Sequence, residues 1–310
     1  MNNNITIAYR AKLYSKMISK YNVNLEKLNQ YFVFYKDACR HHLNEEIAQE
    51  NFLYGMFTCF ETFLTDSTVE LLISYPAKIG KEQKNSVEVI ADCLSLQSVI
   101  KYSAEAQMNS LAYKSVSEYI NGVYGFFGEK FDNKVMMGTI IEGKEVRNAY
   151  MHNGGICGSF YFKKAGEFAK EYKENEKIPL EEDYLKKIKN AIVFLFDDFK
   201  NRCIEKYRKD NPIDVFKEMW EYSCLNEHVA FDEMWHIEKS GKNDTIVGKD
   251  VRYAWSSSQQ LLLNFFKLVH GGDYEKIGTH GVEYALQIWE GYEHEETLIR
   301  SWLDAPFYIP

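Results

Sequence analysis

Residues 44–76 read NEEIAQENFLYGMFTCFETFLTDSTVELLISYP, from Asn44 to Pro76. Asn44 stands where an N-cap belongs, and Glu45 and Glu46 suit the positive end of a helix. Leu53, Met56, Phe57, Phe60, Phe63 and Leu64, then Leu71 and Leu72, follow at steps of three and four. That spacing predicts one long helix with a broad apolar stripe, closed by Pro76. A stripe that wide needs other helices to cover it, and the chain supplies them. Segments 96–109, 114–127 and 133–152 carry helical spacing. So does 182–207, through Leu185, Ile188, Ile192, Leu195, Phe196, Phe199 and Cys203. The stretch 156–162 is ambiguous between a loop and a short extended piece.

Asn211-Pro212 restarts a helix, with Pro tolerated at the first helical position. Further helices are expected over 212–225, 227–239, 257–270, 281–290 and 294–303, with a short hairpin or loop in 241–254. The fold class expected is therefore all-α. A helical domain would span 1–210, and a smaller, acidic, Trp-rich helical accessory domain 211–310.

Composition agrees with a packed core. Of 310 residues, 45% are hydrophobic and 26% charged, which excludes disorder and fibrous repeats. Five prolines favour helices over a turn-rich β fold. The six cysteines lie far apart, so close CxxC pairs are absent and reduced core thiols are expected. No apolar run reaches the ~20 residues that span a bilayer. With no leader visible, the location expected is cytoplasmic and off the membrane.

The net charge is −8, unevenly placed. Residues 1–210 hold 29 Lys and Arg against 28 Asp and Glu, while residues 211–310 hold 8 against 17. Any contact with a phosphate backbone therefore belongs to the first two-thirds.

Chemistry concentrates at Glu145-Val146-Arg147-Asn148-Ala149-Tyr150-Met151-His152-Asn153-Gly154-Gly155. Only 7 of the 37 basic residues are arginines, and one of them stands five residues before a histidine at a helix end. At about 100° per residue, Asn148 and His152 share a face, and Arg147 lies ~140° around from His152. Only a long side chain could bring its head to the same phosphate. An imidazole that moves protons and a guanidinium that forks onto phosphate oxygens suffice for metal-free RNA cleavage. The alternative is a helix-end pair that satisfies carbonyls.

This stretch resembles the signature of the HEPN superfamily, an Arg followed by four to six residues and a His, here as Arg-Asn-x-x-x-His. The Asn153-Gly154-Gly155 stop and the helix around Phe60-Glu61-Thr62-Phe63-Leu64 are similar to the RiboL-PSP type of HEPN domain. Phe160-Tyr161-Phe162, and Ile178-Pro179-Leu180 leading into a long helix, extend the likeness over residues 40–210. The resemblance implies a helical bundle that pairs as a homodimer and acts as a metal-independent endoribonuclease without cofactor. It further implies a bacterial toxin or phage-defence setting, or else a non-catalytic module for RNA or nucleotide binding or for dimerisation.

By position, Arg147 would stabilise the transition state, His152 would act as general base or acid, and Asn148 would orient the site. The products implied are a 2′,3′-cyclic phosphate and a 5′-hydroxyl. Glu61 is a candidate partner of Arg147, with a solvated acid as the plainer reading. Lys144, Lys163 and Lys164 flank the motif as candidate RNA contacts. Two departures stand out. Gly154 occupies a position that is Tyr in the members paired with a nucleotidyltransferase, and there is no Walker A sequence, so ATP-driven control would need a regulatory protein partner.

In the second part, Cys224, His228, Asp232 and His236 recur every four residues, a pattern that could hold zinc if the segment were one helix. Amphipathic packing of Trp220, Phe231 and Trp235 explains the same residues without metal. All five tryptophans lie beyond residue 211, in a region expected to serve as core, with a regulatory cap, a dimer partner or a sensor for another macromolecule as alternatives.

Overall fold

Why the chain wraps around residues 45–74 follows from how little of that helix is left for water. The computed structural model describes residues 7–80, 93, 96–207, 212–238, 245–249, 251, 253–271, 287–289, 292–304 and 307. Helix α1 (Ile7–Arg40) turns back through residues 41–44 into α2 (Glu45–Ser74). Asn44 adopts a left-handed conformation (φ 37°) and makes no side-chain cap. It holds the expected N-cap position through its carbonyl, which accepts from Ala48 N–H at 3.1 Å, in a backbone state that Asn tolerates better than most residues.

Phe52, Leu53, Met56, Phe57, Cys59, Phe60, Phe63 and Leu64 are all buried, so the middle of α2 is apolar nearly all round, as a central helix must be. It is covered by α1, by α3 (Leu96–Ala112), by α5 (Lys134–Asn153) and by α7 (Glu182–Tyr207). Helix α4 (Val116–Gly125) starts with a capping box in which Ser115 and Glu118 satisfy each other's backbone N–H. Helix α6 (Ser159–Ala165) occupies part of the ambiguous stretch. Just before it, Ile156 bridges to Lys177.

Aromatic contacts tie the layers. Phe63 of α2 lies 4.2 Å, ring centre to ring centre, from Phe196 of α7, and Tyr35 stacks on Phe52 at 5.3 Å. At Gly143 an added Cβ would stand 2.9 Å from Ile188 and 3.2 Å from Phe57, so this residue lets α5 lie tightly against α7 and α2. Removing one such Phe would cost about 3–5 kcal/mol.

A second core gathers Phe216, Trp220, Trp235, Phe265, Phe266, Leu298, Trp302 and their neighbours. Its elements are α8 (Pro212–Tyr222), a single turn α9 (Phe231–Met234), strands β1 (Trp235–Glu238) and β2 (Thr245–Gly248), α10 (Ser257–Gly271) and α11 (Glu293–Asp304). The strands pair antiparallel, with Trp235 opposite Gly248. The helix expected over 227–239 is therefore replaced by a 3₁₀ turn (Cys224–Glu227), α9 and β1. Along Trp235-His236-Ile237-Glu238 burial follows the strand period of two, with Trp235 in and His236 out.

The division at 210/211 also leaves out a segment that the fold crosses. Ala11, in the first turns of α1, lies in the second core, and Arg10 Nη2 donates to Glu218 Oε1 at 2.7 Å. Helix α1 is thus shared by both cores. Among the described residues no helix is long and apolar enough to cross a membrane.

Candidate functional site

Helix α5 carries the motif and has a strong start and a strong stop. Asn133 Oδ1 accepts from Met136 N–H at 3.1 Å. At the other end Gly154 (φ 58°) and Gly155 (φ 80°) leave the helix left-handed, and Gly155 N–H donates to the Ala149 carbonyl at 3.1 Å. An added Cβ at Gly155 would stand 2.7 Å from the Tyr150 ring, so two requirements coincide there: a positive φ and a close approach.

Arg147 is half-buried. Its Nη1 donates to Asn148 Oδ1 at 3.3 Å, and its Nε is buried without any hydrogen-bond acceptor. Among the described residues no carboxylate lies within ion-pair distance of it. Burial pulls its pKa below the usual guanidinium value, and the nearby Tyr54 hydroxyl opposes that shift. Asn148 in turn donates from Nδ2 to Glu145 Oε2 at 3.2 Å. An Arg–Asn–Glu chain therefore holds Nη1 of the guanidinium and leaves its buried Nε unsatisfied.

His152, one turn beyond Asn148, is exposed, together with Met151 and Asn153. No hydrogen bond joins His152 to Arg147 within the chain. Helix α6 begins beside this end, since a Cβ at Gly158 would stand 3.9 Å from Asn153 Nδ2. It presents Phe160, 75% exposed, and the exposed Lys163 and Lys164.

Two expected roles are corrected. Glu61 does not meet Arg147: its carboxylate pairs with Lys144, one turn earlier on α5. Lys144 is in consequence no free RNA contact. Its side chain is 15% exposed, and its ammonium lies 5.6 Å from the Phe57 ring centre. Burial first, then the Arg147 charge, lowers its pKa to about 8, and Glu145 opposes them. The adjoining Glu61 carboxylate favours the charged form.

Residues that the sequence reading missed complete the surroundings. Tyr54 and Glu50 of α2 face the Arg147–Tyr150 side of α5, and burial raises the pKa of both tyrosines, Tyr150 to about 12. Tyr150 donates its hydroxyl to the Ile178 carbonyl and so pins the segment that precedes α7. Lys177 pairs with Glu46 and sits over the Tyr150 ring. Tyr54 also lines a groove of about 620 Å³ between α1 and α2, together with Tyr31, Phe34, Leu43, Ile47 and Asn51. The tyrosine inside the motif was a visible signal. Tyr54, ninety-three positions before Arg147, gave none.

The four residues with zinc spacing lie on different elements. Cys224 N–H donates to Glu295 Oε1 at 2.9 Å, His228 is hydrogen-bonded to Tyr253, Asp232 lies 3.8 Å from Lys217 Nζ, and His236 is exposed on β1. Among the described residues no group of three or more His, Cys, Asp or Glu is placed to hold a metal. Comparison of the chain with protein-family models, curated proteins and solved structures finds no match.

Proposed function

We propose that the C-terminal end of α5 is an RNA-cleaving site, working without metal and completed by a second copy of the chain. The observation that carries this reading is Arg147: a half-buried guanidinium with an orphaned Nε and, among the described residues, no carboxylate partner. Such charges are normally paired, because an uncompensated one is costly to desolvate. A scissile phosphate would supply the missing acceptors, and Arg147 would hold its charge as the 2′-oxygen attacks. His152 lies ~140° around the helix from Arg147 with no hydrogen bond between them, and its exposure suits delivery to a partner's Arg147. There it would take the 2′-hydroxyl proton or give one to the departing 5′-oxygen. Exposed Lys163 and Lys164 would guide the strand. The resemblance to HEPN ribonucleases, and with it a toxin or phage-defence setting, supports this assignment.

A second reading has its own observation. Val33, Phe34, Leu43 and Ile47 are 53% or more exposed on the α1–α2 face, as in a chain that mainly dimerises. The two readings part in one assay. Wild type, Arg147→Ala and His152→Ala are incubated with total RNA in EDTA while oligomeric state is followed by light scattering. The nuclease reading expects cyclic-phosphate ends from wild type alone, with the same oligomer in all three. Equal cleavage by all three, or none by any, leaves the dimerisation module.

A further inference from the structure

The second core carries an open cavity at its surface that the α5 site does not use. It is about 1000 Å³ in volume and lies between strands β1 and β2, residues Lys249, Val251 and Tyr253–Trp255, and α10. Ligand pockets usually fall at ~300–1000 Å³, so there is room for an ordered small molecule. Its apolar wall is made by Met234, Trp235 and Leu263.

The aromatic side of the cavity is an open pair of rings tilted 51° to each other. Tyr253 and Trp255 stand with ring centres 4.6 Å apart, and Tyr253 is 43% exposed. His228 Nδ1 meets the Tyr253 hydroxyl at 3.2 Å and fixes that ring. Opposite, α10 presents Gln260, Asn264 and Lys267 to the cavity at i, i+4 and i+7, which is one helical face. Gln260 Nε2 donates to Asn264 Oδ1 at 3.0 Å, leaving Asn264 Nδ2 as a donor beside Gln260 Oε1 as an acceptor.

Charge singles the cavity out. Residues 211–310 carry 17 acids against 8 bases, yet the described lining has Lys249, Lys267 and His270 and no carboxylate. Lys249 is partly engaged, donating to the Asp232 carbonyl at 2.5 Å.

We propose that this cavity binds a nucleotide. The base stacks on the Trp255 face of the tilted Tyr253–Trp255 pair, the Gln260–Asn264 amides read its edge, and the phosphate meets Lys267 with Lys249. Stacking on aromatic rings is how proteins hold unpaired bases, and paired amide donors and acceptors match the edge of adenine. The assignment does not rest on the ribonuclease reading.

The test is calorimetric titration of the full chain with AMP, with adenosine and ribose 5-phosphate as the two halves of the ligand. Saturable AMP binding is expected. Trp255→Ala should weaken it by ~10-fold or more, the effect of losing a stacking partner, while Trp255→Phe keeps most of it. Lys267→Met should weaken AMP but leave adenosine unchanged. Arg147→Ala should bind AMP as wild type does, which separates this cavity from the α5 site. Circular dichroism identical to wild type confirms that each variant is folded. No saturable binding of AMP at millimolar concentration overturns the proposal, as does ribose 5-phosphate binding as tightly as AMP or undiminished affinity in Trp255→Ala.

Discussion

Two charged residues five positions apart on α5 have opposite fates. Glu142 is 3% exposed and fully engaged: its carboxyl oxygens each accept a tyrosine hydroxyl at 2.8 Å, from Tyr161 and from Tyr184. Lys170 Nζ, 3.6 Å away, adds a counter-charge. Arg147 is less buried yet less satisfied, with one 3.3 Å bond to Asn148 and an orphaned Nε. A polar group complete within the chain serves the fold. One left incomplete is held there at a cost in stability, which makes it the place to look for function.

The largest effect expected on this contrast is at Glu142. Glu142→Ala would strand two buried hydroxyls and Lys170, costing about 3–5 kcal/mol in urea unfolding. A loss below about 1 kcal/mol would remove Glu142 from the structural side of the comparison.

Arg147→Ala should do the reverse. Stability stays within about 0.5 kcal/mol, while RNA cleavage falls by ~100-fold or more, as when a transition-state donor is lost. A destabilised but fully active variant would make Arg147 structural.

Next in size is the helix stop. Gly155→Ala sets a side chain at positive φ against the Tyr150 ring, and about 2 kcal/mol should be lost in the same unfolding assay. An unchanged midpoint would mean that the stop does not hold the motif in place.

The smallest effect is in pH. Burial and the Arg147 charge pull Lys144 down to about 8 in the folded chain, below the ordinary lysine value of about 10.4. Between these values the unfolded chain holds a proton that the folded chain has lost, so stability gained from this group rises with pH across that window. After screening, the wild type should gain on the order of 1 kcal/mol relative to Lys144→Met between pH 8 and 10. Parallel curves would show that Glu61 holds Lys144 charged throughout.

Much of this geometry is legible in residue order because it is local. The three- and four-residue steps of α2 and α7, and the Asn133 start and Gly154-Gly155 stop of α5, are short-range signals that packing then reinforces. The strand at Trp235 is harder to read in residue order, because the four-residue recurrence of Cys224, His228, Asp232 and His236 overlies its two-residue alternation. Thr245-Ile246-Val247, β-branched throughout, is the partner that decides between them. The Glu61–Lys144 pair spans 83 positions and depends on how α2 crosses α5, which no local pattern encodes. The AMP cavity likewise draws its lining from two paired strands, residues that follow them and one helix face.

The most direct test of a site completed by two copies mixes inactive chains. Arg147→Ala and His152→Ala are unfolded together, refolded as a mixture and assayed for cyclic-phosphate ends in EDTA. If each site takes its arginine from one copy and its histidine from the other, each mixed dimer regains one intact site, and about a quarter of wild-type activity returns on random pairing. A mixture as inactive as either parent would contradict the account.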